Sequence, residues 1–202
     1  YDEFRNRITG ISGFWDYDDG NRRSYNQAGV SFESIGRWFD FRANGYFALG
    51  NRTNVISTAL TGNFDTSMNP IRAEAVQGIE TSYSGFNVEV GGPTPILGRY
   101  GFESYIGGYY FDTPDARSAS GVSLRSEVHV TDDLRLGINV TDDNVFGTNV
   151  FGTVVLTLPD GRPKQFFRPR QVREKILDRV ERRYRVTTDR TTRDILVPVT
   201  EI

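Results

Sequence analysis

Residues 38–50 run Trp-Phe-Asp-Phe-Arg-Ala-Asn-Gly-Tyr-Phe-Ala-Leu-Gly, with apolar and polar side chains in strict alternation. In an extended chain successive side chains point to opposite faces, so Phe39, Phe41, Ala43, Gly45, Phe47 and Leu49 share one face. Asp40, Arg42, Asn44 and Tyr46 share the other. A helix would mix the two sets around its circumference, so this stretch is a strand with one dry side. The pattern recurs. Ala28, Val30 and Phe32 oppose Gln27, Gly29, Ser31 and Glu33; Phe86, Val88 and Val90 oppose Asn87 and Glu89. Val122, Leu124, Val128 and Val130 oppose Ser123, Arg125, Glu127 and His129, and Leu134, Leu136, Ile138 and Val140 oppose Arg135, Gly137 and Asn139. Residues 8–17, 54–64, 71–81, 99–111 and 149–158 complete a set of about ten strands, separated by clusters of Gly, Asn, Asp, Ser and Pro such as 18–21 and 131–133. The expected fold class is all-β, antiparallel and up-and-down.

Two solvents for the apolar face give the same alternation: the core of a soluble β-sandwich, or lipid around a membrane barrel. Strand length favours lipid, because these runs match the roughly 9–11 residues of a tilted membrane strand, against about 5–6 in ordinary sheets. No apolar run reaches the ~20 residues of a spanning helix. The mean hydropathy of −0.46 does not count against a barrel, in which only every second residue meets lipid. Residues 1–159 are therefore expected to form a transmembrane antiparallel β-barrel of about ten strands. Its lumen would be lined by Glu33, Asp40, Arg42, Asn44, Glu89, Arg125, Glu127, His129 and Arg135, with charges of both signs in reach of each other. Trp15, Tyr17, Trp38, Tyr105 and Tyr109 are expected at the membrane interfaces. In the soluble alternative the aromatic residues would instead make a carbohydrate platform.

Residues 160–202 are another kind of sequence. They hold 12 of the 24 Lys and Arg but only 7 of the 26 Asp and Glu, so an acidic body is joined to a basic tail. Such parts attract each other. After the strand-breaking Pro159-Asp160-Gly161-Arg162-Pro163, Val172, Ile176 and Val180 recur every four residues with Leu177 beside them, which predicts a short amphipathic helix over 169–184. Arg170, Arg173, Lys175, Arg179, Arg182 and Arg183 make its other surface basic. The last residues, 185–202, look extended. In a channel or structural envelope barrel the tail would plug the pore or dock in the periplasm. The chain opens on Tyr1-Asp2-Glu3-Phe4 without an initiator Met or a basic and apolar leader, the start expected of a processed or trimmed end.

Few catalytic chemistries remain. With no Cys there is no thiolate nucleophile, thiolate metal site or disulfide, and a single His removes multi-His arrangements. Asp142 and Asp143 fall in a turn, where local hydrogen bonding explains Asp more simply than calcium does. The pair Glu33 and Asp40 invites comparison with glycosidase carboxylates, yet both sit on a face rich in arginine. Arg179 to Arg185 lacks any accompanying nucleic-acid-binding pattern. No catalytic residue, metal, cofactor or nucleic-acid partner is expected.

Several segments resemble the barrel of the inverse autotransporters, the intimin and invasin family. Phe14-Trp15-Asp16-Tyr17-Asp18 looks like the Phe-Tyr-Asp-Tyr-type strand of that family. Residues 27–33 followed by 38–46 look like its Gly-x-Gly-x-Glu strand and Trp-Asp-x-Arg-Ala-Asn-Gly-Tyr strand. Val88-Glu89-Val90-Gly91, residues 105–110 and Thr141-Asp142-Asp143 resemble later strands and a turn, and residues 176–183 resemble the run after the barrel. Arg183 and Tyr184 stand where the family has an Asn pair. The resemblance implies a bacterial outer-membrane barrel of about twelve strands at the cell surface, a lipid bilayer and the barrel-assembly machinery as partners, and no reaction chemistry. It also implies a linker that threads the lumen and delivers a C-terminal passenger outside. It leaves the oligomeric state open.

Overall fold

The computed structural model describes residues 1–19, 24–67, 69–131, 133–157, 166–183 and 185–199. Gly20, Asn21, Asp132, Tyr184 and the break at 159–163, all named above, lie outside the described residues. The fold is all-β and antiparallel, in two sheets.

The larger sheet has eight strands: β1 (Ile8–Asp18), β2 (Tyr25–Ile35), β3 (Asp40–Leu49), β6 (Ser84–Pro93), β7 (Phe102–Asp112), β8 (Ala119–His129), β9 (Leu134–Asp143) and β10 (Gly147–Leu156), paired in that order. The smaller has β4 (Thr53–Asp65) and β5 (Arg72–Ser82) as a hairpin, with β11 (Thr188–Pro198) on the other side of β5. Strand lengths of ten to thirteen residues agree with the alternation-based reading.

The larger sheet curls into a half-barrel. Among the described residues neither β1 nor β10 has a second partner, so the sheet is open along these two edges. Its register is continuous, and directly opposed residues form rows. Ile11, Phe32, Ala43 and Val88 lie in one row on the outward face; Glu33, Arg42 and Glu89 lie in another on the inward face. Every strand of this sheet carries exposed apolar side chains outward, among them Ile11, Trp15, Val30, Phe47, Phe86, Ile106, Leu124, Ile138 and Val154. The buried side chains of β3, namely Asp40, Arg42, Asn44 and Tyr46, all point inward.

Two features depart from the sequence reading. First, β4 and β5 leave the larger sheet, so β3 pairs directly with β6 and ten consecutive strands do not form one sheet. β4 differs from the strands of the larger sheet in being exposed on both faces from Ile56 to Phe64, with no buried inward side. Second, the predicted helix over 169–184 reduces to a 3-10 segment, Val172–Leu177, capped by Gln171 with Glu174. Val180, Arg179, Arg182 and Arg183 lie beyond it; Asp178 is already extended. An extended path frees the tail backbone to bond sheet side chains, which a continuous helix would forbid.

The two ends of the half-barrel differ. At the near end are the β2–β3, β6–β7 and β8–β9 connections and the last residue of β10. At the far end are the β1–β2, β7–β8 and β9–β10 turns and the whole β4–β5 excursion. A cluster of Tyr46, Tyr83, Tyr109, Phe111 and Ala119, with Phe14 packed against it, fills the inward side at the far end. Gly29 makes room there: a Cβ at this position would run into the Phe14 ring and the Gly45 carbonyl oxygen.

Candidate functional site: a polar inner face carrying the tail

The inward face is a ladder of ion pairs. Arg42 bridges Glu33 at 3.1 Å and Glu89 at 3.2 Å, because register places it directly between them. Arg125 continues the ladder to Glu89 and Glu127, both at 2.6 Å, and Arg135 reaches Glu127 at 3.5 Å. The rings join in. The Arg125 and Arg42 guanidiniums both lie against the Tyr105 ring, 4.0 and 4.8 Å from its centre. Asn44 donates to Asn87 and pairs with Ser31. Of the nine residues expected in the lumen, all but His129 and Asn44 belong to this ion-pair ladder or its extension at Asp40, and those two share its face.

The tail lies along this ladder from the near end to the far end. It starts near β8 and β9, where the Thr157 N–H donates to the Asp133 carbonyl and the Phe167 N–H to the Val130 carbonyl. Lys175 then enters the sheet, with its ammonium 2.6 Å from Glu103 and 3.3 Å from Asp40. All three are buried. Tyr105 completes the contact by donating to Glu103 at 2.6 Å, with its hydroxyl also 3.0 Å from Asp40.

Beyond Lys175 the main chain itself is read. The Glu181 carbonyl accepts from Asn44 at 3.2 Å, and its carboxylate pairs with Arg135 at 3.0 Å. Arg182 makes a two-point contact with Asp16 at 2.6 and 3.0 Å and lies 4.0 Å from the centre of the Phe14 ring. The Arg183 N–H donates to the Tyr46 oxygen, and its guanidinium sits against Tyr109 and Phe111 at the far end. Arg168 with Glu174 and Arg170 with Asp178 are internal to the tail. Val172 is buried, whereas Ile176 is exposed, so the apolar stripe expected of a helix is not used as one.

The interface aromatics divide. Trp15 is 63% exposed, Trp38 74% and Tyr17 61%, all facing out. Tyr105 at 2% and Tyr109 at 7% are not at an outward interface. Parity is the cause: both share the face of Glu103, and their hydroxyls bond carboxylates, Tyr109 donating to Asp143 at 2.6 Å. Asp143 also accepts from the Val145 N–H, and Asp142 from Thr148, so this turn pair is spent on local bonds.

Glu103, Glu127 and His129 bring ligand-type atoms within 4.8 Å of one another. Lys175 already holds Glu103, and Arg125 holds Glu127, so the group is neutralised by side chains. Sequence reasoning missed Asp16, Glu103, Lys175 and Glu181. Strand parity would have found the first two. Nothing in the tail's own sequence distinguishes Lys175 from the six arginines before residue 183.

No family model matches this chain, and no match was found among the curated proteins or the solved structures.

Proposed function

We infer that the chain is an outer-membrane anchor and translocator: a barrel closed in the bilayer along the β1 and β10 edges, whose lumen-threaded tail presents a C-terminal segment at the cell surface. The observation that carries this reading is the path of the tail, fixed by Lys175 at the near end and by Arg182 and Arg183 at the far end. A chain that only needed a soluble core would not place a buried ion-pair ladder inward and leave apolar side chains exposed on every strand outward. Lipid is the solvent in which that inversion is stable. The longest excursion, β4–β5, projects from the far end, as expected of the outer side of such barrels, whose inner turns are short. The function is physical, with no reaction at the site; barrel-assembly machinery and lipid are its partners.

A second reading, a channel plugged by its basic tail, is favoured by one contact. Lys175 occupies the near-end carboxylates Asp40 and Glu103, where a cation would otherwise enter. Both readings need a membrane barrel. The deciding experiment is electrophoresis of membrane-extracted protein with and without boiling, alongside solubility in detergent-free buffer. A mobility shift and a detergent requirement are expected; free solubility without a shift sinks both readings. Planar-bilayer conductance with Lys175→Gln then separates them, since steady opening without loss of surface exposure of the tail marks a plug.

A further inference from the structure

The smaller sheet has an asymmetry that the anchor reading does not use. β11 pairs with β5 without interruption over eleven residue pairs, from Thr188 opposite Ser82 to Pro198 opposite Arg72. The hairpin partner β4, although next to β5 in sequence, pairs less well. Its register slips between Val55 and Ser57 and again between Leu60 and Phe64, and Gly62 sits at a positive φ of 87°. An isolated two-stranded hairpin is marginal in water, and one with two register breaks is weaker still. β5 thus has its unbroken pairing with a strand of the tail, more than a hundred residues away in sequence.

The side chains specify that arrival. Arg190 reaches Glu80 at 3.2 Å, and Arg193 makes two contacts with Gln77 at 2.9 and 2.6 Å. The chain is registered at both ends of the strand, by the Tyr83 N–H on the Thr187 carbonyl and the Val199 N–H on the Ile71 carbonyl. Thr, Ile and Val supply five of the 11 residues of β11, residue types that suit an extended conformation.

We propose that β5, presented by the β4–β5 hairpin, is a strand-capture site: it takes up residues 188–198 of the tail by β-sheet pairing as they leave the far end of the inner face. The proposal rests on the translocator reading and adds its directional step. Capture begins at Thr188 beside the sheet and zips outward to Pro198, so each pair formed opposes retraction of the tail. The hairpin orders only when the strand arrives. The ligand class is an extended, Thr-rich segment with arginines three residues apart, matched to Glu80 and Gln77.

The test uses the full chain with Thr191→Pro and Thr192→Pro together, which removes whichever of the two backbone donors faces β5. Hydrogen exchange should show protection across 53–65 and 72–82 falling by about tenfold or more, with the eight-stranded sheet unchanged. Thr191→Val with Thr192→Val should keep protection near the starting level. Protection that survives the double proline overturns the proposal, because the hairpin then stands alone. Because these 202 residues contain no Cys, Val199→Cys gives this chain a single thiol for an impermeant maleimide on intact cells. The labelled fraction should drop several-fold when the double proline is added; equal labelling with and without it overturns directional capture. A starting protein with no heat-dependent mobility shift would remove the translocator reading, while the exchange measurement would still decide strand capture.

Discussion

The eight-stranded and three-stranded sheets are built from strands of the same length yet keep their order by opposite means. In the larger sheet, adjacent strands pair in continuous register and the two faces separate cleanly, charged within and apolar without. In the smaller, the sequence-local pair β4–β5 slips twice, and the unbroken pairing is with β11, more than a hundred residues away. Local alternation therefore makes a strand but does not decide which sheet it joins. β4 has no buried inward side, and its hairpin is completed by the tail.

The largest effect is expected where the tail crosses from one environment to the other. Lys175→Ala leaves Asp40 and Glu103 buried without their cation, a kind of loss worth about 3–5 kcal/mol. Chemical denaturation in detergent should show this as a lower midpoint with little change in slope. Lys175→Ala with Glu103→Gln should recover part of it, since one buried charge is then removed with the other. If the single variant costs no more than a surface substitution, the tail is not held on the inner face in solution, and the distinction between the two sheets loses its mechanical basis.

A smaller effect compares the outer faces directly. Ile106 on β7 is 62% exposed and Leu60 on β4 is 50% exposed, so in water their replacement by Arg should be equally mild. In a bilayer, Ile106→Arg should cost about 2–4 kcal/mol if it lies near the midplane. Leu60→Arg, on the excursion beyond the far end, should stay within about 0.5 kcal/mol. Folding titrations in lipid vesicles measure both. Equal costs would place the two faces in the same solvent and break the membrane reading of the larger sheet.

Much of this comparison was legible in the sequence. The alternation in 38–50 gave β3 almost to the residue and placed Arg42 and Asn44 inward, because parity in a strand is a local property. The same parity, applied to 102–112, would have put Tyr105 and Tyr109 beside Glu103; their aromatic character suggested a girdle instead. Departure of β4–β5 from the sheet and capture of β11 were not legible, since register between distant strands is set by long-range pairing and not by either segment alone. The tail helix failed for a related reason. Four-residue spacing in 172–180 is real, but Asn44, Tyr46 and Asp16 bond this tail's backbone and side chains in an extended path.

The junction between the sheets supplies the smallest effect and a pH signature. Tyr83, between β5 and β6, is fully buried and donates to the Arg117 carbonyl at 2.8 Å. Burial first, and then the Asp189 carboxylate on β11, push its phenol up from 10.0 to about 12. Ionisation puts a negative charge beside Asp189 in a dry site, so the folded state resists losing this proton more than the unfolded chain does. The stability tied to Tyr83 is therefore complete below about pH 10 and is lost as the pH rises through about 12. Asp189→Asn should lower that upper limit while leaving the near-neutral midpoint almost unchanged, as read by tyrosinate absorbance and denaturation across this window with Tyr83→Phe as the blank. A Tyr83 signal that ignores Asp189 would mean β11 is not seated against the junction, which separates the two sheets; one that follows it ties β11 to the half-barrel's far end.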